Sequence, residues 1–255
     1  DIGGAFGTAI AELAQHFADL LGRRDYRVLL IDADPQGNLS KRFGYHPKEY
    51  RGDVQLSSAV LNILSDNPKP MKDFTLHTQN ANVDIIPNDD RYTATTKTLL
   101  DAVMLGINAY KIILQELSGF YDYIIFDCRP AVDNEIAQVM RAVQYLMIPV
   151  NAADDSVDGV DTVLGYASKI RNSNPELCVA GIFFESINMR TAVAHDYVPQ
   201  IRQKYAPLIL DTIVPHSEDA HKAEARHLPV TEAYPSGKAT RAYSKLVEEV
   251  LNRIG

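Results

Sequence analysis

The chain has 255 residues, a formal net charge of −8, 46% hydrophobic residues and 23% charged residues. That suffices for one large α/β domain of ordinary globular composition, and no apolar run approaches the roughly 18 residues of a membrane span. No basic, apolar leader opens the sequence, and two cysteines, Cys128 and Cys178, suit a reducing cytoplasm better than a disulfide framework.

Taken in chain order, apolar residues at helical spacing (Ile10, Leu13, Ala14, Phe17, Leu20, Leu21) predict a helix over 8–21 that stops at Gly22. A strand follows at 27–31, a short helix at 56–64, a strand at 83–87, and a helical stretch over 91–117 broken near Gly106. Then come a buried strand at 123–126, a helix at 135–143, a strand at 145–150, a helix at 159–171 and a strand at 177–184. A helix at 192–205, a strand at 209–214 and an amphipathic helix at 239–254 complete the chain. Strands separated by helices form right-handed βαβ units. The fold class is therefore α/β: a doubly wound, mostly parallel sheet with helices on both faces, as one domain over 1–255.

Two of these strands end in aspartate. Val28-Leu-Leu-Ile-Asp-Ala-Asp-Pro-Gln-Gly-Asn38 and Tyr121-Asp-Tyr-Ile-Ile-Phe-Asp127 are continuous apolar runs, as expected for strands buried on both faces. Open α/β sheets bind ligands at the carboxyl tips of their strands. Asp32, Asp34 and Asp127 on one rim therefore suggest a divalent, oxygen-seeking metal beside a phosphate. Ahead of the first strand, Asp1-Ile-Gly-Gly-Ala-Phe-Gly-Thr8 reads as a glycine-rich loop entering a helix. Such a loop turns its amides toward an anion, and a threonine at the helix start can bind Mg²⁺. The competing readings are structural: the aspartates as strand-end caps, Thr8 as a helix N-cap, Cys128 as small buried filler.

These segments resemble the ParA/Soj/MinD family of deviant Walker-A ATPases, a P-loop NTPase-like group, and its ParA/Soj partition branch in particular. The stretch from Val28 to Asn38 is similar to the family's switch I, and Tyr121 to Pro130 to its Walker-B strand and switch II. Asp211-Thr-Ile-Val-Pro215 and Gly237-Lys-Ala-Thr-Arg-Ala-Tyr243 fall where the family has similar segments, so the resemblance covers essentially the whole chain. It implies that Gly3, Gly4, Gly7 and Thr8 form the phosphate loop, with Thr8, Asp32 and Asp127 around Mg²⁺. It also implies that Asp34 orients the attacking water, and that Pro215 and His216 lie in the segment against the adenine of ATP or ADP. The implied protein is a cytoplasmic, nucleoid-associated homodimer. It binds DNA nonspecifically for plasmid or chromosome segregation, and a ParB-like partner stimulates its hydrolysis.

The chain departs from the family pattern in two places. Ile2 and Gly7 stand where the family loop has lysines, one for its own subunit's phosphates and one for the partner's nucleotide. Phosphoryl transfer needs positive charge on the γ-phosphoryl oxygens, so losing both cations argues for slow turnover. The second departure is that the family's central strand has no counterpart ahead of Asp1. The missing strand is read as truncation or alteration of this end, whereas Ile2 and Gly7 raise the alternative of a non-hydrolysing pseudo-ATPase scaffold of the same fold; a biosynthetic ATP-dependent ligase is a third.

Arg190 fits the position of one of the branch's DNA-facing arginines, with a solvated surface residue as the competing reading, whereas Glu218 and Asp219 stand where the family usually has arginines. Fewer cations mean weaker, more salt-sensitive contact with phosphate backbones. The last helix, with Leu246, Val247, Val250, Leu251 and Ile254 on one face, reads as packed on the sheet, with no membrane role. The histidines show no metal-ligand spacing.

Overall fold

The computed structural model describes residues 2–46, 52–88, 99, 102, 104, 106–129, 133–151, 155–224, 226 and 228–255, with the backbone alone at 2–9, 155, 156, 221 and 224. They divide into two compact units, Asp1–Ala142 and Val143–Gly255.

In the first unit the elements run α1 (Ile2–Gly22), β1 (Val28–Asp32), α2 (Asn38–Arg42), α3 (Leu56–Ile63), a 3-10 turn (Met71–Phe74), β2 (Leu76–His77), β3 (Val83–Ile86), α4 (Ala109–Leu117), β4 (Tyr123–Asp127) and α5 (Asn134–Met140). The sheet order is β2-β3-β1-β4. β1 is parallel to both β3 and β4, and only the two-residue β2 runs antiparallel. All five residues of β1 are buried, as its unbroken apolar run requires. The sequence predicts an equally buried β4, yet only Asp127 is; the four residues before it are half-buried because β4 is an edge strand of this sheet.

The glycine-rich segment departs from expectation. Gly3, Gly4, Gly7 and Thr8 lie inside α1, which begins at Ile2, instead of forming a loop ahead of it. Helix extension adds one backbone hydrogen bond per residue, which offsets the roughly 1 kcal/mol that each interior glycine costs. At the other end Gly22 is the last residue of the helix, and packing explains why it is a glycine. A Cβ there would sit 2.8 Å from the Asn80 side chain and 2.9 Å from that of Val83. The break near Gly106 is present: this glycine has φ +78°, and the Ile107 N–H reaches back to the Ala102 carbonyl at 2.9 Å, a helix-terminating pattern. Most of the helix expected before it, 91–105, lies outside the described residues. Asp84, polar and buried within β3, accepts from Lys72 Nζ (2.7 Å) and the Tyr121 hydroxyl (2.6 Å) and meets His77 Nδ1 (2.6 Å).

The second unit is a three-stranded parallel sheet, β5-β6-β7. It comprises β5 (Tyr145–Val150), α6 (Asp155–Ile170), β6 (Cys178–Ile187), α7 (Ala192–Tyr205), β7 (Ile209–Pro215), α8 (Glu218–Glu224), α9 (Val230–Ala233) and α10 (Lys238–Ile254). Its core joins Ile148, Val150, Ile182, Phe184, Val198 and Ile201. Helix α10 packs on β7 through Tyr243, Leu246, Val247 and Val250, as expected, with Leu251 and Ile254 only half-buried. Glu249 on the same helix accepts the β7 N–H groups of Asp211 (2.5 Å) and Thr212 (3.0 Å), which satisfies donors of an edge strand. Cys178, expected inside a strand, is the exposed first residue of β6. Among the described residues no helix is long and apolar enough to cross a membrane.

One packing contact here has a measurable consequence. A Cβ on Gly181 would lie 2.6–2.8 Å from the Leu210 side chain, which is fully buried. Gly181→Ala is expected to destabilise the protein by about 1–3 kcal/mol through overpacking, read as a lower urea midpoint at unchanged slope.

Candidate functional site

The parallel pairing of β1 with β4 places Asp32 directly opposite Asp127 at the carboxyl ends of the two strands. Neighbouring strands lie about 5 Å apart, so two carboxylates share one small region of the rim. Asp34 follows two residues beyond Asp32, and the chain at Ala33 is held to β4 by its N–H to the Asp127 carbonyl (2.8 Å). All three aspartates are buried, with exposures of 0%, 3% and 1% for Asp32, Asp34 and Asp127. The sequence-predicted carboxylates therefore do meet.

They are not equivalent. Asp32 braces the segment that follows it: Oδ2 accepts the Ser40 N–H (2.8 Å) and hydroxyl (2.6 Å), and Oδ1 accepts the Asp34 N–H (3.2 Å). Asp34 Oδ1 accepts the Gln36 N–H (2.9 Å), and its carbonyl accepts from Gly37 N–H (2.8 Å) and Asn88 Nδ2 (2.5 Å). Gly37 has φ +59°, a left-handed conformation in which glycine carries no Cβ penalty, and this lets the turn feed into α2. Asn88, just past β3, also donates its N–H to Ser40 Oγ (2.8 Å). Asp127 is different: both of its carboxylate oxygens are buried without a hydrogen-bond partner among the described residues.

The electrostatics follow from this crowding. Burial, then the charges of Asp32 and Asp34, push the Asp127 carboxyl well above the usual carboxylate range, with Arg42 opposing. Burial pushes Asp32 up to about 6 against the bonds from Ser40. Arg42 is itself buried and reaches Gln15 Oε1 (3.3 Å) and Glu12 Oε2 (3.5 Å) on α1, tying α2 to that helix. Beyond Asp127, the half-buried Cys128 thiol is pushed up by burial and by Asp127, Asp32, Asp34 and Asp133. Such surroundings favour the protonated thiol over the thiolate. Glu135, 2% exposed on α5, is pushed up to about 8 by burial and then by Asp34. Its Oε1 accepts the Tyr110 hydroxyl (2.9 Å), while Oε2 lies 3.6 Å from Arg129 Nη2.

A buried, unpartnered carboxylate beside two more is costly without positive charge. Oxygen donors of this kind fit a hard divalent cation, which makes Asp127 the residue here best suited to face one. Among the described residues no three His, Cys, Asp or Glu side chains form a ready-made cage. Magnesium suits such a site because it keeps several waters and shares its shell with phosphate oxygens.

The remaining predicted residues lie elsewhere in the chain. The side chains of Gly3, Gly4, Gly7 and Thr8 lie outside the described residues. Pro215 ends β7, and His216 follows it, with its N–H on the Ile187 carbonyl (3.1 Å) and Nδ1 3.1 Å from Ser186 Oγ. Arg190 is exposed in the turn between β6 and α7. Sequence reasoning missed Ser40, Asn88, Arg42, Arg129 and Glu135. Of these, Asn88 had a usable signal, since it follows a predicted strand at its ligand-facing end.

The profile of the AAA_31 family, described as an AAA domain, matches residues 3–179. The chromosome-partitioning ATPase Soj of Treponema pallidum is 26% identical over 231 residues, covering 90% of this chain and 87% of its own. Among solved structures, the septum site-determining protein MinD of Pyrococcus horikoshii, complexed with Mg-ADP, has a TM-score of 0.74 at 21% identity, over 98% of this chain and 93% of its own. Cobyrinic acid a,c-diamide synthase of Mycobacterium smegmatis, with bound ATP analogue and magnesium, reaches 0.79 at 20% identity, over 97% and 91%. At those identities the two structures establish the P-loop NTPase-like fold alone. The profile match, the partition relatives and the paired strand-end aspartates together place this chain in the AAA_31 family and in its ParA/Soj/MinD group.

Proposed function

We propose that the chain is a ParA/Soj-like nucleotide switch that binds ATP and ADP with Mg²⁺ at the carboxyl rim of β1 and β4. The observation that carries this reading is Asp127, buried opposite Asp32 with neither oxygen hydrogen-bonded among the described residues. Thr8, Asp32 and Asp127 would hold a divalent ion there, which would supply positive charge for the carboxylates and for a bound phosphate. Asp34, fixed by its turn and by Asn88, would orient the water that attacks the γ-phosphoryl group. Gly3 and Gly4, in the first turn of α1, would offer backbone amides to the phosphates, Gly7 deeper in the helix would not, and Pro215 and His216 would lie along the adenine. The Soj match runs through both compact units, which supports one ParA-like domain over 1–255.

On this reading the protein works in the cytoplasm, associated with the nucleoid. It is a homodimer on nonspecific DNA, with Arg190 among its phosphate contacts and a ParB-like partner as its trigger. The second reading, a non-hydrolysing scaffold, is favoured by Ile2 and Gly7 at the two lysine positions. Inorganic phosphate release, with and without DNA, separates the two. Turnover well above an Asp34→Ala control supports the switch; tight ATP binding without turnover supports the scaffold. Absence of any nucleotide binding overturns both.

A further inference from the structure

Among the described residues Asp32, Asp34 and Asp127 crowd the rim, and Asp133 and Glu135 are joined to it through Arg129, two residues past Asp127. A polyphosphate approaching such a cluster is repelled unless cations accompany it. Arg42 is committed internally, its side chain 4% exposed and bound to Glu12 and Gln15. Lys41 donates to Asn38 Oδ1 (3.2 Å) on its own helix. Arg129 is placed differently. It stands two residues past Asp127, its side chain is 35% exposed, and its Nη2 is paired with Asp133 and lies 3.6 Å from Glu135 Oε2. Its Nε is buried without a hydrogen-bond partner among the described residues, as is Glu135 Oε2. A guanidinium carries five donors in a planar fork suited to phosphate oxygens, and here at least one of them is unused.

We infer that Arg129 is the phosphate-binding cation of this chain: a guanidinium tethered beside Asp127 by Asp133 and Glu135 and directed, when nucleotide binds, at the terminal phosphoryl oxygens of a nucleoside triphosphate. The inference rests on the nucleotide reading above and names a residue for the charge that Ile2 and Gly7 do not supply. The tether gives the arginine two alternative sets of anionic partners. Asp133 Oδ1 accepts the Glu135 and Ile136 N–H groups at 2.9 and 3.1 Å, so this cap on α5 stays in place when the guanidinium turns away from Oδ2. Glu135 keeps the Tyr110 hydroxyl.

The test is equilibrium binding of fluorescent ATP and ADP analogues, with Mg²⁺, to the wild-type chain and to Arg129→Ala, Arg129→Lys and Lys41→Ala. Arg129→Ala is expected to weaken ATP binding about tenfold to a hundredfold, the worth of a charge-assisted hydrogen bond. ADP binding should change far less, Arg129→Lys should recover part of the loss, and Lys41→Ala should bind like wild type. A purely structural role would weaken both nucleotides alike, and that result overturns the inference. So does unchanged ATP affinity in Arg129→Ala, or a loss confined to Lys41→Ala. If Arg129→Ala does not fold, Arg129→Gln, which keeps a donor for Asp133, carries the same comparison. A wild-type chain that binds neither nucleotide overturns the nucleotide reading itself, an outcome distinct from the others.

Discussion

Asp127→Asn is expected to raise the stability of the metal-free protein while abolishing the Mg²⁺-dependent part of nucleotide binding. In the wild type a carboxyl that is 1% exposed has no hydrogen-bond partner for either oxygen among the described residues and faces Asp32 across the strand pair. Whether it stays ionised or takes up a proton, the folded state bears the cost. Removing the charge should recover about 1–3 kcal/mol, the penalty of an unsatisfied buried charged group. Thermal melts of both proteins in chelator, then with Mg²⁺ and ATP, check it. The variant should melt higher in chelator, and only the wild type should gain from Mg²⁺ with nucleotide. A variant less stable in chelator would mean that Asp127 has a structural partner and no ligand to wait for.

Stability of the metal-free protein should also fall as the pH rises from about 6.5 to about 8.5. Burial, then Asp34, raises Glu135 to about 8, and burial raises Asp32 to about 6. Carboxyls with raised folded pKa values bind protons more tightly in the folded than in the unfolded chain. Their contribution is therefore complete below the unfolded values and lost as pH climbs through 6 and then 8. A tenfold difference in proton affinity between the folded and unfolded chain is worth about 1.4 kcal/mol, so Glu135 alone contributes a few kcal/mol. Below pH 6.5 the opposite sign enters, because buried His16 is held neutral, first by desolvation, and must take up a proton on acidification. Above that value the decline is read free of this opposing effect, and it levels off once the pH passes about 8. Urea denaturation across this window should show it, and Glu135→Gln should flatten it. A wild-type curve that rises instead would contradict the placement of Glu135.

What the sequence made legible was whatever repeats with a period. The strand over 145–150 and the helix over 192–205 are present at the expected bounds, because a continuous apolar run and a helical apolar stripe each span several residues. Asp32 and Asp127 were legible for the same reason: each ends such a run. The polar scaffold around them was not. Helix α2 is five residues long, too short to show a period, and Ser40 and Arg42 within it read as loop polar residues until β1 and α1 are brought beside them. Asn88 and Asp34 are far apart in sequence and meet only because β1 pairs with β3. Glu135 on α5 meets Arg129 just past β4, a juxtaposition that no spacing rule encodes. The glycine-rich segment misleads because three glycines signal a loop by local preference alone, whereas an amphipathic helix carries its hydrogen-bond ladder through them.

The most direct examination of the site is anomalous scattering from crystals grown with Mn²⁺ and a non-hydrolysable ATP analogue, since manganese takes the same oxygen ligands as magnesium. A manganese peak is expected beside Asp127, with nucleotide phosphate density next to it on the rim of β1 and β4. Nucleotide bound with the metal remote from Asp127, or a manganese peak only at other carboxylates, would contradict the assignment of this rim as the metal and phosphate site.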